Sequence, residues 1–146
     1  MTITLRPITR ENVVDCVRLQ TTEAQKHFVA DNGMSLAQAY VDPNLVPRAV
    51  YADDTLVGFV MYGRDPTTNV DWIIRVMIDQ RYQGRGYGRA TMHELIAQLS
   101  QQPDCAEIRL SFEPDNVVAE RLYDSLGFER TGEIDDGEVV MRLRVK

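Results

Sequence analysis

The chain has 146 residues, 44% of them hydrophobic and 26% charged, which suits one domain over residues 1–146 with a real core and is too short for two. A formal charge of −6 argues against a nucleic-acid partner, which wants a basic surface, and no apolar run is long enough to span a bilayer. Cys16 and Cys105 are too few and too far apart for a disulfide framework or a metal site, so buried free thiols are expected. Residues 1–6 lack the apolar stretch of a signal peptide, and a cytoplasmic location is the expectation.

In chain order, Ile3 and Leu5 alternate with polar residues and predict a first strand. Thr9 is placed as the N-cap of a helix carrying Val13, Val14, Cys16 and Val17 to about Leu19. Residues 23–28 predict a further turn or short helix, with Glu23, His27 and Asp31 on one side at i, i+4, i+8 spacing, where they could line a substrate site or form a solvated face. Ser35 is expected to cap a helix over residues 36–41, which Pro43 and Pro47 end. Residues 48–52 and 56–62 read as a hairpin around Asp53-Asp54, and residues 72–79 as the next strand. A helix from about Gly86 to Gln101 follows, with Met92, Leu95, Ile96 and Leu99 inward, then a strand over residues 106–112. Asp115 or Asn116 caps a last helix striped by Ala119, Leu122 and Leu126 and ended by Gly127, before two closing strands at 128–132 and 139–145. This order is that of a mixed α/β domain rather than a doubly wound one.

The stretch from Val76 to Arg89 carries the chemistry. A β-prone run enters a turn with glycines at 84, 86 and 88, and a helix opens directly after it. Main-chain N–H groups in a helix's first turn have no internal partner and lie where the dipole favours negative charge, so the turn can cradle phosphate. Arg81, Arg85 and Arg89 add cations around it, with Arg the better phosphate donor because its planar fork can bond twice. The spacing is neither G-x-x-x-x-G-K-[ST] nor G-x-G-x-x-G. Residues 113–138 carry nine acids against Arg121 and Arg130, whereas residues 75–89 carry four arginines against Asp79. A basic site in an acidic chain points to an anionic cofactor held locally and a cationic substrate drawn from outside.

Gln83, Gly86 and Gly88 after the strand ending at Ile78-Asp79 resemble the pyrophosphate-binding turn of the GNAT family of N-acetyltransferases, which holds acetyl-coenzyme A. Asn116, Ala119, Leu122-Tyr123 and Leu126-Gly127-Phe128 resemble a second motif of the same family, in family order, so that the likeness covers essentially the whole chain. Leu56 to Gly63, Arg81-Tyr82-Gln83-Gly84, Arg121-Leu122-Tyr123 and Gly132-Glu133-Ile134 are similar to the bacterial spermine/spermidine acetyltransferases. The resemblance implies a mostly antiparallel twisted sheet splayed at its fourth and fifth strands, with helices on both faces. It implies that the pantetheine arm enters the splay as a pseudo-strand along Val76, Met77 and Ile78, with a main-chain N–H near Met77 polarising the thioester carbonyl. The diphosphate would lie on Gln83, Gly84, Arg85, Gly86, Tyr87, Gly88 and Arg89, Asn116 would hold the pantetheine arm or a water, and Ala119 belongs to the same cofactor site. No metal is implied, and a homodimer stands as the expectation because the family often forms dimers.

Acetylation of an alkylamine poses two proton problems. An ammonium with a pKa of about 10.4 must shed a proton to expose its lone pair, at roughly 4.6 kcal/mol near pH 7. The departing thiolate needs one in return, and the resemblance assigns that donation to Tyr123. The base is open among Glu23, Asp71, Glu113 and a water relay, since the glutamate of the mammalian polyamine enzymes falls where this chain has Ile74 and Arg75. The expected partner is a small-molecule amine, with a polyamine first. An aminoglycoside, an amino acid, a protein N-terminus, or a non-catalytic acyl-CoA-binding module stand as alternatives.

Overall fold

In a computed structural model, which describes residues 2–26, 28 and 31–146, the chain forms a seven-stranded sheet in the order β1-β2-β3-β4-β5-β7-β6. The strands are β1 Ile3–Pro7, β2 Leu45–Ala52, β3 Thr55–Arg64, β4 Asp71–Ile78, β5 Glu107–Phe112, β6 Glu129–Asp135 and β7 Glu138–Arg144. Among the described residues four α-helices accompany them: α1 Val13–Arg18, α2 Asn32–Val41, α3 Tyr87–Ser100 and α4 Val117–Ser125. Neighbouring strands are antiparallel except β4 and β5, which run parallel because α3 carries the chain back between them.

The helices cover both faces. Met92, Leu95 and Leu99 of α3 pack with Ile73, Ile108 and Leu110, and Ala119, Leu122 and Leu126 of α4 close over the same core. On the other face Cys16, Leu36 and Ala39 from α1 and α2 meet Phe59, Met61 and Met77. A bulge directs β4 to both cores: Tyr62 pairs with Ile73 and Met61 with Arg75, leaving Ile74 without an opposite number. The extra residue shifts the alternation, so that Ile73 and Val76 face α3 while Ile74 and Met77 face α1 and α2. Both cysteines are buried thiols, each pushed up to about 11, by burial in Cys16 and by burial and then Asp71 in Cys105.

Three expected boundaries move. Asn12 rather than Thr9 sits at the start of α1, its Oδ1 accepting from the Thr9 N–H at 2.8 Å. α2 begins four residues before Leu36, capped by Asp31, whose Oδ1 accepts from the Met34 N–H at 2.7 Å; Ser35 lies buried inside the helix. Pro47 does not end a helix but belongs to β2, opposite Met61. The β1 ladder stops at Arg48, so Pro47 has a paired strand on one side only, where a missing N–H is tolerated.

Two braces set the geometry of β4. At its start, Arg64 donates from Nε to Asp71 Oδ1 at 3.1 Å and from Nη2 to Oδ2 at 2.8 Å, and also pairs with Asp104 in the loop before β5. At its end, the buried Asp79 carboxylate accepts from the Gln20 N–H at 3.0 Å, the Arg81 N–H at 3.0 Å and Arg81 Nε at 2.8 Å. Burial alone would push Asp79 up, but these three bonds outweigh it and hold its carboxyl below the usual carboxylate range. Such a group stabilises the fold above the unfolded carboxylate pKa and loses that contribution as pH falls through the folded value.

Two predictions follow from this framework. A Cβ at Gly58 would stand 2.4 Å from the Met77 carbonyl oxygen, so Gly58→Ala is expected to cost about 3 kcal/mol of unfolding free energy in a urea titration. Asp79→Asn should cost about 1–2 kcal/mol at pH 7, with the gap to wild type closing on titration below about pH 4; an equal gap at pH 3 would show that the charge contributes nothing.

Candidate active site

Only Asp71 with Ile108 and Trp72 with Arg109 pair across β4 and β5. Beyond them the strands part and leave a wedge, open to a cavity of about 580 Å³. Ile73 to Ile78 line one side of it and Leu110, Ser111, Phe112 and Glu113 the other. The Asp79 N–H donates to the Val57 carbonyl at 2.8 Å, and Met77 is opposite Phe59 on the same ladder. Amide groups two residues apart in a strand point the same way, so the Met77 N–H is turned toward β3. The close approach of the Met77 carbonyl to Gly58 agrees. The amides turned to the wedge are those of Val76 and Ile78, so a polarising N–H near Met77 would come from one of these neighbours rather than from Met77 itself, and all three residues line the cavity.

The glycine turn forms the cavity's far end. Gly84 and Gly86 adopt φ of 77° and 82°, which a Cβ would strain, and α3 starts on Gly86. Gly88 has no positive φ, and a Cβ there would meet nothing nearer than Ile78 Cγ1 at 3.9 Å. Packing within the chain therefore does not demand glycine at 88, and the missing side chain leaves the helix start open to a ligand. The N–H groups of Tyr87, Gly88 and Arg89 precede the first α3 hydrogen bond, from Ala90 to Gly86 at 3.1 Å, and are the helix's orphan donors. A diphosphate fits this surface, and the unpaired edges of β4 and β5 fit the amides of a pantetheine arm.

The lining at the turn comes from Gln83, Gly84, Gly86, Tyr87 and Gly88, with Arg85 and Arg89 outside it. Arg85 and Arg81 flank the Tyr82 ring at 5.6 and 5.2 Å, and Arg89 donates to Ser125 Oγ at 2.8 Å, tying α3 to α4. The Gln83 side chain buttresses the turn, donating from Nε2 to the Ile78 carbonyl and to Gln25 Oε1, both at 2.9 Å.

α4 supplies the remaining wall through Asn116, Val118, Ala119, Leu122 and Tyr123. Asn116 is the cap, its Oδ1 accepting from the Ala119 N–H at 3.3 Å. Tyr123 packs between Phe112 and Phe128, at ring separations of 6.0 and 6.1 Å. Its hydroxyl makes no hydrogen bond among the described residues, and burial, then the charge of Glu138, pushes its pKa up to about 12. It is a neutral phenol at any working pH, able to donate a proton.

The four expected substrate residues separate. Glu113 lines the cavity. Asp71 is buried at the closed end of the wedge and committed to Arg64, so it is neither at the cavity nor free to accept a proton. Glu23 lies in a single 3-10 turn, Glu23–Gln25, exposed and paired with Lys26 at 2.7 Å, which breaks the helical spacing to Asp31. His27 falls outside the described residues. Ser111, Glu138 and Arg75 line the cavity without having been singled out from the sequence. The missed signal for Glu138 is register: β7 pairs Val139 with Phe112, which brings the acid beside the β5 end of the wedge.

The profile of the Acetyltransferase (GNAT) family matches residues 13–128. The spermine/spermidine N(1)-acetyltransferase of Bacillus subtilis is 34% identical over 148 aligned residues, 97% of either chain. The N-alpha-acetyltransferase RimI of Mycobacterium tuberculosis is 31% identical over 89% of this chain and 80% of its own. A crystal structure of spermidine N-acetyltransferase from Vibrio cholerae, in complex with CoA and spermine, shares the fold with a TM-score of 0.78 at 17% identity, over 98% of this chain and 95% of that one. The chain belongs to the GNAT acetyltransferase family, and it is an acetyl-CoA-dependent N-acetyltransferase.

Proposed function

We propose that residues 1–146 form one catalytic domain that transfers acetyl from acetyl-CoA to a primary amine of a small polycation, with spermine or spermidine as the first choice. The observation that carries this reading is the wedge between β4 and β5, with orphan helix N–H groups at one end and Tyr123 in its wall. Likeness to a spermine/spermidine enzyme over nearly the whole length supports the polyamine, as do Glu113 and Glu138 at the cavity. A cytoplasmic location and a homodimer remain part of the proposal.

On this reading the diphosphate rests on the main chain of Gly84, Gly86, Tyr87 and Gly88, and the Val76 and Ile78 amides meet the pantetheine arm. The free amine attacks the thioester carbon, the C–N bond forms and the C–S bond breaks. Tyr123 protonates the leaving sulfur, and its raised pKa keeps that proton in place until negative charge develops there. The second reading, a protein N-terminus as acceptor, draws on the RimI relative.

Two experiments test these assignments. A panel of spermine, spermidine, diamines, an aminoglycoside, amino acids and N-terminal peptides, assayed by free CoA release, should give the highest kcat/KM with a polyamine; a peptide leading the panel would select the second reading. Tyr123→Phe should lower kcat about 100-fold near neutral pH with acetyl-CoA affinity kept, as read by stopped-flow turnover and calorimetry. Wild-type turnover in that variant would take Tyr123 out of the chemistry.

A further inference from the structure

Acetyl transfer to an amine needs a group on the nitrogen's side of the reaction. Of the candidates expected there, Asp71 is consumed by Arg64 and Glu23 by Lys26, while Glu113 lines the cavity with no hydrogen bond to its carboxylate among the described residues. Among the described residues, one carboxylate both lines the cavity and is held in place by a side-chain hydrogen bond. Glu138 opens β7, lines the cavity that Tyr123 lines, and accepts from Ser111 Oγ at 2.7 Å through Oε1. Ser111 sits on β5 inside the splay, so this bond fixes the acid at the open end of the wedge. Oε2 makes no hydrogen bond among the described residues.

We propose that Glu138 is a second catalytic group of this site, whose carboxylate, steadied by Ser111, receives the amine and takes the proton its nitrogen sheds as the C–N bond forms. The inference rests on the acetyl-transfer reading above and names the missing half of its proton accounting. The ammonium first gives one proton to solvent, and the lone pair then attacks the thioester carbon. Nitrogen bonded to that carbon is far more acidic than the free ammonium, so the Glu138 carboxylate can accept its next proton. Tyr123 gives its proton to sulfur as the C–S bond breaks, and the proton on Glu138 makes good that loss. The sum is one ammonium and one thioester converted to one amide, one thiol and one released proton.

The groups around Glu138 suit the reception of a cationic amine. Tyr123 from α4 feels the Glu138 charge, Arg75 of β4 and Glu113 after β5 line the same cavity, and Asp135 and Asp136 stand at the neighbouring hairpin. Arg75 is drawn toward α2, donating from Nη2 to Gln38 Oε1 at 3.4 Å and from Nη1 to its neighbour's carbonyl, Ile74 O, at 3.0 Å, so it does not quench the acid by pairing with it.

The test is steady-state kinetics on Glu138→Gln, Glu138→Asp and Ser111→Ala, with melting temperature recorded for each. Glu138→Gln should lower kcat/KM for the best amine about 100-fold while KM for acetyl-CoA holds, with the deficit narrowing as pH rises and hydroxide takes over the proton. Glu138→Asp should recover part of the loss, and Ser111→Ala should cost about tenfold in the same parameter. Wild-type kcat/KM and pH profile in Glu138→Gln would overturn the assignment, as would a loss shared equally by both substrates with a lowered melting temperature. A wild-type protein that acetylates no amine would remove the acetyl-transfer reading and this one together, whereas an active wild type with an indifferent Glu138→Gln removes this one alone.

Discussion

The arrangement depends on how little β4 and β5 touch. Two register positions join them, and the parallel ladder then stops. Arg64 holds the joined end shut by bridging Asp71 at the start of β4 and Asp104 just before β5, while the bulge at Ile74 and the chain reversal at Asp79 carry β4 away from its neighbour. Each side of the wedge is otherwise anchored, β4 along β3 and β5 along β7, so the gap belongs to the sheet and is not a frayed edge. A sheet built this way presents main-chain donors and acceptors inside a protein, where they are expensive to leave unmet.

That cost makes the site selective for a ligand with amide groups along its length and an anionic end. The helix start at Gly86 offers main-chain donors, and two of the three arginines that look from the sequence like a clamp are spent elsewhere, Arg81 on Asp79 and Arg89 on Ser125, while Arg85 lies by the Tyr82 ring. They order the turn and the α3–α4 junction rather than line the cavity. Tyr123 receives comparable treatment: aromatic neighbours pack on both sides of the phenol, and burial keeps its proton in place.

Much of this was legible in the sequence because the informative signals are local. The glycines at 84, 86 and 88, the Asn116 cap and the stripe of α4 depend on neighbours within a few residues, and the structure has them where the spacing puts them. What the sequence hid depends on partners far along the chain. Asp71 looks like a free acid until Arg64 is brought against it, and Met77 looks like the centre of the binding strand until the β3 ladder shows which amides are taken. Glu138 was one acid among nine until β7 set its register against Phe112. The helix boundary at Asp31 was missed for a smaller reason, since Ser35 and Asp31 are both good caps and burial of Ser35 decides between them.

The gap in the sheet also couples metabolism to the fold. A molecule that fills the missing rungs between β4 and β5 binds the native chain and has nothing to bind in the unfolded one, so it shifts the folding equilibrium by mass action, by about 2.7 kcal/mol at a hundredfold excess over its dissociation constant. Supply of the acyl donor and resistance to unfolding would then rise and fall together.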